Sequence, residues 1–347
     1  MKKSILILLV IIAALVGFVI YTFSSTGYFR EINNTEGYQV IASHALKGAE
    51  DLTIDYEAGF AIISQDDRAG RRDGNPENGG LFMMDLSLPD FPLKKLNKEM
   101  ELLLYPHGIS MYKLDSGRFM LLVVNHADGE SIERFELQGD QLVHLETIKD
   151  ESMVSINDVV AVDEKRFYFT NDHGYTSKLG LLAENYLGLA VSNVVYFDGV
   201  RFEEGADGIA YANGINLSLD RTELLVASPR KFELRYYAIL EDGSLRLNKS
   251  LAVGSGIDNI EVDPEGNLWM GSHPNLLAFT AYAAGKKEQA PSEIIKVTKS
   301  GAVESLFEND GSLISATSVV APYNDLLIVG TVMDDRLLII KEEAGSK

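Results

Sequence analysis

One pattern recurs six times along this chain and limits its fold more than any single motif does. A polar pair opens a short alternating apolar stretch, a turn of Asp, Asn, Gly or Pro follows, and a second apolar stretch closes the unit. The leading pairs are Glu50-Asp51, His107-Gly108, Asn157-Asp158, Asn213-Gly214, Asp258-Asn259 and Ala316-Thr317. Alternation interrupted by such a turn is the signature of a β-hairpin. The second residues of the pairs stand at 51, 108, 158, 214, 259 and 317, a period of about 53 residues, enough for roughly four strands. Six such units predict an all-β chain folded as a six-bladed β-propeller; a pair of β-sandwiches would not repeat at this period. Leu81–Leu86, Ile132–Leu137, Val194–Phe197, Glu233–Ile239 and Glu293–Val297 are strand-like runs between the hairpins and are expected to be the outer strands. Tyr38–Ala42 precedes the first hairpin and is expected to complete the last blade, closing the ring.

Two stretches break the rhythm. Asp66–Gly80 is polar and Gly-rich and reads as a long loop, while Lys178–Ala190 has apolar residues at helical spacing and reads as a short amphipathic helix. Each is either a connector or part of the rim of a binding site. At the N-terminus, Lys2-Lys3 precedes an apolar run from Ile5 to Phe23, which as a helix spans about 28 Å, close to a bilayer's hydrocarbon core of about 30 Å. The sequence that follows, Ser24-Ser25-Thr26-Gly27, is a poor cleavage site, so an uncleaved signal anchor is favoured over a cleaved signal peptide. The lysines place the N-terminus in the cytoplasm and the body across the membrane; the alternative is secretion after cleavage. The expected division is residues 1–30 as stub, anchor and start of linker, and 31–347 as propeller. On this reading a chain beginning near Gly37 is soluble and active by itself.

The net charge of −20 lies wholly in the body, since residues 1–30 hold Lys2, Lys3 and Arg30 and no acid. So acidic a surface with no Lys/Arg cluster excludes nucleic acid as a partner. Zero cysteines exclude disulfides, Cys-ligated metals and thiol nucleophiles together. No Gly-x-Ser-x-Gly elbow, P-loop or His-Glu-x-x-His motif is present. Asn33, Asn216 and Asn248 begin glycosylation-type sequons.

In a propeller the innermost strand of each blade lines the central channel, so the residues that open these strands converge. Glu50, Asp51, Asn157, Asp158, Asn213, Asp258 and Asn259 bring carboxylate and amide oxygens from four units, a donor set suited to a calcium ion, which takes six to eight oxygens. The plainer reading is that Asn, Asp and Gly open strands because they favour turns. The histidines weigh against it. His107 opens an inner strand, and His126, His173 and His273 end the return strands of three hairpins, an arrangement that suits acid–base chemistry. Tyr211, just ahead of Asn213, is a further pocket candidate.

These residues carry a resemblance. GAEDLTI at 48–54, PHGIS at 106–110, LLVVNH at 121–126, INDVVAV at 156–162, TNDH at 170–173, YLGLA at 186–190, ANGINLS at 212–218, DNIEVDPEGNLWMGSHPN at 258–275 and GTV at 330–332 resemble, in order, the serum paraoxonase/arylesterase family from about residue 37 to 341. The resemblance implies a six-bladed propeller with two calcium ions in its tunnel that hydrolyses lactones and aryl esters, small-molecule substrates. It implies a catalytic calcium on Glu50, Asn157, Asn213, Asp258 and Asn259, a structural calcium on Asp51, Asp158 and the backbone carbonyl of Ile109, and a catalytic dyad of His107 and His126, with His173 and His273 nearby. The chain departs from the family in lacking the disulfide of animal members and in carrying Arg68, Arg71 and Arg72 where the family's active-site loop has an aromatic. The competing expectations are a gluconolactonase- or strictosidine-synthase-like propeller acting on another substrate, and a binding propeller that keeps calcium for structure alone.

Overall fold

A computed structural model of the chain describes residues 2–343; Met1 and residues 344–347, at the outer ends of the two expected segments, lie outside the described residues. Six four-stranded antiparallel sheets are arranged as blades. Their inner strands are Ala49–Asp55, Pro106–Lys113, Ile156–Ala161, Ile215–Leu217, Gly256–Val262 and Thr317–Tyr323, numbered here as blades one to six. Each pairs in hairpin fashion with the following strand, as the alternation predicts. Tyr38–Ala45 pairs antiparallel with Arg336–Glu342 and supplies the outermost strand of blade six, so the two ends of the propeller close the ring together.

One expectation needs correction. The runs expected to be outer strands are the third strands of their blades; the outermost are Leu93–Lys95, Gln141–Ile148, Phe202–Ile209, Leu245–Ala252 and Val303–Asn309. These edges hide in the sequence because they are short or largely solvated, as in Leu245–Ala252, and lack a continuous apolar face.

The core lies between blades. Along Phe119–Asn125 every residue is buried. Phe119, Leu121 and Val123 pack against Ile62 and Leu81 of blade one, while Met120, Leu122 and Val124 pack against Val159 and Phe167 of blade three. Both faces of the sheet are covered, which turns the alternation expected of a half-buried strand into a continuous apolar run. Six apolar clusters of this kind fill the six junctions.

Among the described residues four α-helices sit outside the sheets: α1 (Lys2–Ser25), α2 (Arg68–Arg72), α3 (Lys178–Leu182) and α4 (Leu276–Ala283). The Asp66–Gly80 stretch is not all loop, because Asp67 caps α2 by accepting from the Gly70 N–H. The helix expected across 178–190 begins as α3 and continues as a π-helical turn, Ala183–Leu187. α1 is long and apolar enough to cross a membrane, with a mean hydropathy of 3.0 over its most apolar 18 residues and little of that stretch buried.

The junction of blades six and one carries the ring closure. Ile339 is fully buried there against Leu52, Ala61 and Val319. Ile339→Ala is expected to cost about 2–5 kcal/mol, read as a lower denaturation midpoint with an unchanged slope.

Candidate active site

The polar pairs reach the axis through a local backbone device. In four blades the inner-strand register slips where the pair stands, between Ala49 and Asp51, Pro106 and Ile109, Ile156 and Val159, and Ile257 and Ile260; in blade six it slips just past the pair, at Ser318. A β-bulge sets two residues against one on the partner strand, which frees both members of the pair from the regular ladder. Their side chains then tie separate blades together. Asp51 Oδ2 accepts the Ile109 N–H at 2.7 Å, and Asp158 Oδ2 accepts the Ile215 N–H at 2.8 Å. Asn259 Nδ2 donates to both the backbone oxygen and Oε1 of Glu50, each at 3.1 Å. Gly108 is required at this axis, because a Cβ there would stand 2.1 Å from Asp158 Oδ1.

Four of the five residues implied to hold a catalytic calcium show the same defect. Glu50 Oε2, Asn157 Oδ1, Asn213 Oδ1 and Asn259 Oδ1 are buried with no hydrogen-bond partner. The fifth, Asp258, accepts from His273 Nε2 at 2.9 Å. A buried acceptor left unsatisfied is costly, and several from separate blades together form an oxygen-rich cradle that fits a hard cation. Among the described residues no three His, Asp or Glu side chains cluster as a metal site, since this donor set is largely amide. Burial pushes the Glu50 carboxyl upward, but His107 and Arg68 outweigh it and hold it at about 2. Asp51 and Asp158 are pushed well up, first by burial and then, for Asp51, by repulsion from Asp158 and Glu50. Glu261, also raised by burial and by Asp158, adds a third carboxyl to this deeper group. Backbone N–H groups offset only part of that effect. The Ile109 N–H is committed to Asp51.

His107 and His126 meet. His107 Nδ1 lies 3.0 Å from His126 Nε2, and His126 Nδ1 lies 3.1 Å from Glu130 Oε2. The other face of His107, Nε2, stands 3.4 Å from Glu50 Oε1. Burial holds His126 below the ordinary imidazole value, against the pull of Glu130. His173 is raised: burial opposes its charge, but the Asp172 carboxylate 2.7 Å from Nδ1 prevails. Tyr211 packs edge-on to His173, with ring centroids 4.9 Å apart, and His273 stacks flat on Phe279 of α4 at 4.0 Å.

These groups line a cavity of about 290 Å³. Glu50, His107, Asn157, Asn213 and Asp258 form its polar floor, and Leu276, Leu277, Phe279 and Val332 give it apolar walls. Of the residues singled out from sequence, His126, Asp51, Asp158, Ile109 and Asn259 stand behind this lining rather than on it. Sequence reasoning missed Glu130, Asp172, Asn185 and Arg68 as members of the site. Asp172 carries a signal, because it directly precedes His173. Glu130 carries none, since its approach to His126 depends on how the loop folds. Arg68 is noticeable only as a departure; its Nη2 is buried without a hydrogen bond, 3.8 Å from Glu50 Oε2.

A six-bladed propeller whose axis gathers unsatisfied oxygens beside a histidine pair defines a cation-ready pocket of enzymatic type. The arylesterase family pattern matches residues 42–339. Human serum paraoxonase/arylesterase 1 is 34% identical over 305 residues, covering 84% of this chain and 85% of its own. Chicken serum paraoxonase/arylesterase 2 is 33% identical, covering 82% and 83%. Among solved structures, a luciferin-regenerating enzyme aligns with a TM-score of 0.55 at 13% identity over 87% of this chain and 92% of that one. Regucalcin from Agrobacterium tumefaciens, a calcium-binding protein, aligns at 0.52 and 13% over 90% and 95%. Those two likenesses establish the fold. The sequence relatives establish the family: the chain belongs to the arylesterases.

Both dyad segments hang on one buried carboxylate. Glu133 accepts from Asn125, Ser131, Thr147 and His144, and Asn125 in turn accepts the Tyr105 and Ala127 N–H groups that flank the two histidines. Burial pushes Glu133 upward, but these donors overcome it and hold its pKa below the usual carboxylate value. A depressed folded-state pKa gives stability that is present above the unfolded value, about 4.3, and is lost as pH falls through the folded one. Wild type is expected to exceed Glu133→Gln in stability by a constant margin above pH 6, shrinking below about pH 4; denaturant melts across that range check it.

Proposed function

We propose that the chain is a calcium-dependent hydrolase of lactones and aryl esters. The observation that carries this reading is the set of unpartnered oxygens of Glu50, Asn157, Asn213 and Asn259 beside the His107–His126 pair. Glu50, Asn157, Asn213, Asp258 and Asn259 would hold one calcium ion, and Asp51, Asp158 and the Ile109 carbonyl a second. When bound, the first ion supplies polarisation of the ester carbonyl. The names of the sequence relatives, paraoxonase/arylesterase, support the ester class.

The histidines supply the proton chemistry. A Glu130 carboxylate accepting from His126 Nδ1–H leaves His126 Nε2 as the acceptor for His107 Nδ1–H. In that relay the His107 ring carries its proton on Nδ1 and offers Nε2 as the base. His107 takes a proton from the attacking water, the water oxygen adds to the ester carbon, and the proton returns to the departing alkoxide or phenolate oxygen as the C–O bond breaks. The apolar walls formed by Leu276, Leu277, Phe279 and Val332 take the hydrocarbon part of the substrate. α1 serves in this reading as a single-pass anchor with the N-terminus cytoplasmic and the propeller outside.

A panel of lactones and aryl esters, assayed with and without a calcium chelator, tests the reading. Wild type is expected to turn over members of the panel and to lose that activity, and several degrees of melting temperature, on chelation. Activity indifferent to the chelator, with an unmoved melting temperature, would contradict it. His107→Gln is expected to lower kcat by about 10²–10⁴-fold while leaving the calcium-dependent shift in melting temperature in place, and His126→Gln to lose less. A kcat for His107→Gln within about threefold of wild type would move the general base elsewhere.

A further inference from the structure

Two helical segments end on one buried side chain. Arg230, 5% exposed on the turn after the second strand of blade four, donates from Nε to the Asn185 carbonyl at 2.7 Å and from Nη2 to the Tyr186 carbonyl at 2.9 Å. It also donates from Nη1 to the Ser25 carbonyl at 3.1 Å and from Nη2 to Ser25 Oγ at 3.1 Å. Ser25 is the last residue of α1, and Asn185 and Tyr186 lie in the last turn of the rim segment Lys178–Leu187. Both helix ends present carbonyls with no partner inside their own helix. Each end also carries about half a negative charge from the aligned peptide dipoles, so two such ends balance one guanidinium. That accounts for a buried arginine whose hydrogen-bond acceptors here are all uncharged oxygens.

α1 completes the joint. Tyr21 Oη donates to the Leu187 carbonyl at 3.0 Å and Thr22 Oγ1 to the Tyr186 carbonyl at 3.3 Å. The turn after α1 then runs into the pocket lining: Thr26 faces the cavity, and its carbonyl accepts the Leu276 N–H at the start of α4. Gly27, at φ 71°, passes so close to Pro274 that a Cβ would meet its carbonyl oxygen at 2.1 Å. On the rim side, Asn185 and Tyr186 line the cavity, Asn185 Oδ1 lies 3.3 Å from His173 Nε2, and Glu184 accepts the Gly174 and Tyr175 N–H groups that follow His173.

We propose that Arg230 is a positioning residue that joins the end of α1 to the rim segment, making the N-terminal helix part of the wall of the substrate pocket rather than a detachable tether. A chain beginning near Gly37 would lose Tyr21, Thr22, Ser25 and Thr26 and leave Arg230 and the rim carbonyls without their partners. On this proposal the expectation that such a chain is active by itself is narrowed to turnover, with substrate affinity lost. Substrate affinity would suffer more than turnover, because the residues displaced line the pocket but do not touch the His107–His126 pair.

The test uses the full chain in detergent. Arg230→Met keeps the aliphatic stem and removes all five donors. It is expected to raise KM for a lactone or aryl ester by about tenfold with kcat within about threefold, and to speed amide hydrogen exchange across residues 183–187 by about tenfold or more. Arg230→Lys is expected to recover part of both. Since Arg230 is buried, a second variant approaches from the other side: Tyr21→Phe with Thr22→Val, both on α1, should shift KM and exchange in the same direction with an unchanged melting temperature. Arg30→Gln, which frees the linker from Glu293 on blade five, is expected to leave KM as it is. Wild-type KM and wild-type exchange in both the Arg230→Met and the Tyr21/Thr22 variants overturn the proposal. The KM arm rests on the hydrolase reading, whereas the exchange arm needs no substrate. A protein inactive on every ester but with faster exchange in these variants therefore counts against the hydrolase reading and for the joint.

Discussion

The burial of carboxylates on the propeller axis is the constraint on which the rest of this molecule turns. Glu50, Asp51, Asp158 and Asp258 are each at most 5% exposed, on three different blades. Carboxylates taken out of water must be paired, neutralised or coordinated, and leaving one unpaired costs several kcal/mol. The ring meets part of that demand across two junctions, where Asp51 accepts from blade two and Asp158 from blade four, and across the axis, where Glu50 accepts from blade five. The same bonds that relieve the acids hold neighbouring blades in register. Stability and site are thus one arrangement, and a cation in the cradle would serve both.

Chemistry follows from what surrounds the acids. Bulged strands bring four of the polar pairs to the axis, the hairpin returns bring histidines back to the same end, and the helical segments that follow the second strands of blades three and five roof the opening. His107 lies between two systems, with Nε2 toward Glu50 and Nδ1 toward His126 and Glu130. In the proposed reading His107 is the base that takes a proton from a water beside the cradle, held in place by His126 and Glu130. The rim is bound to the N-terminal helix through Arg230, so the pocket draws on segments more than 200 residues apart.

Much of this was legible in the sequence because repeats announce themselves. The period near 53 residues, the turn residues of each hairpin and the strand ahead of the first blade led to the blade count and the ring closure. The pairs at 50–51, 157–158 and 258–259 stood out because a doublet of the same kind heads an apolar run in repeat after repeat. What stayed hidden depends on contacts between distant segments. Glu130 reaches His126 only through a folded loop, and Arg230 finds Ser25 205 positions away. α4 was missed because Leu276–Ala283 is a short and almost wholly apolar run, which periodicity alone does not tell from a buried strand. The outermost strands were missed for the opposite reason, since their solvated faces leave no apolar pattern to find.

The central claim is that the unpartnered oxygens at the axis are cation ligands. Isothermal calorimetry of chelator-stripped protein with calcium tests it most directly, without reference to any substrate. The account predicts saturable binding of two ions per chain, with one class of site weakened in Asn213→Ala and the other in Asp158→Asn. No heat of binding at millimolar calcium, in a protein that is folded by circular dichroism, would contradict it.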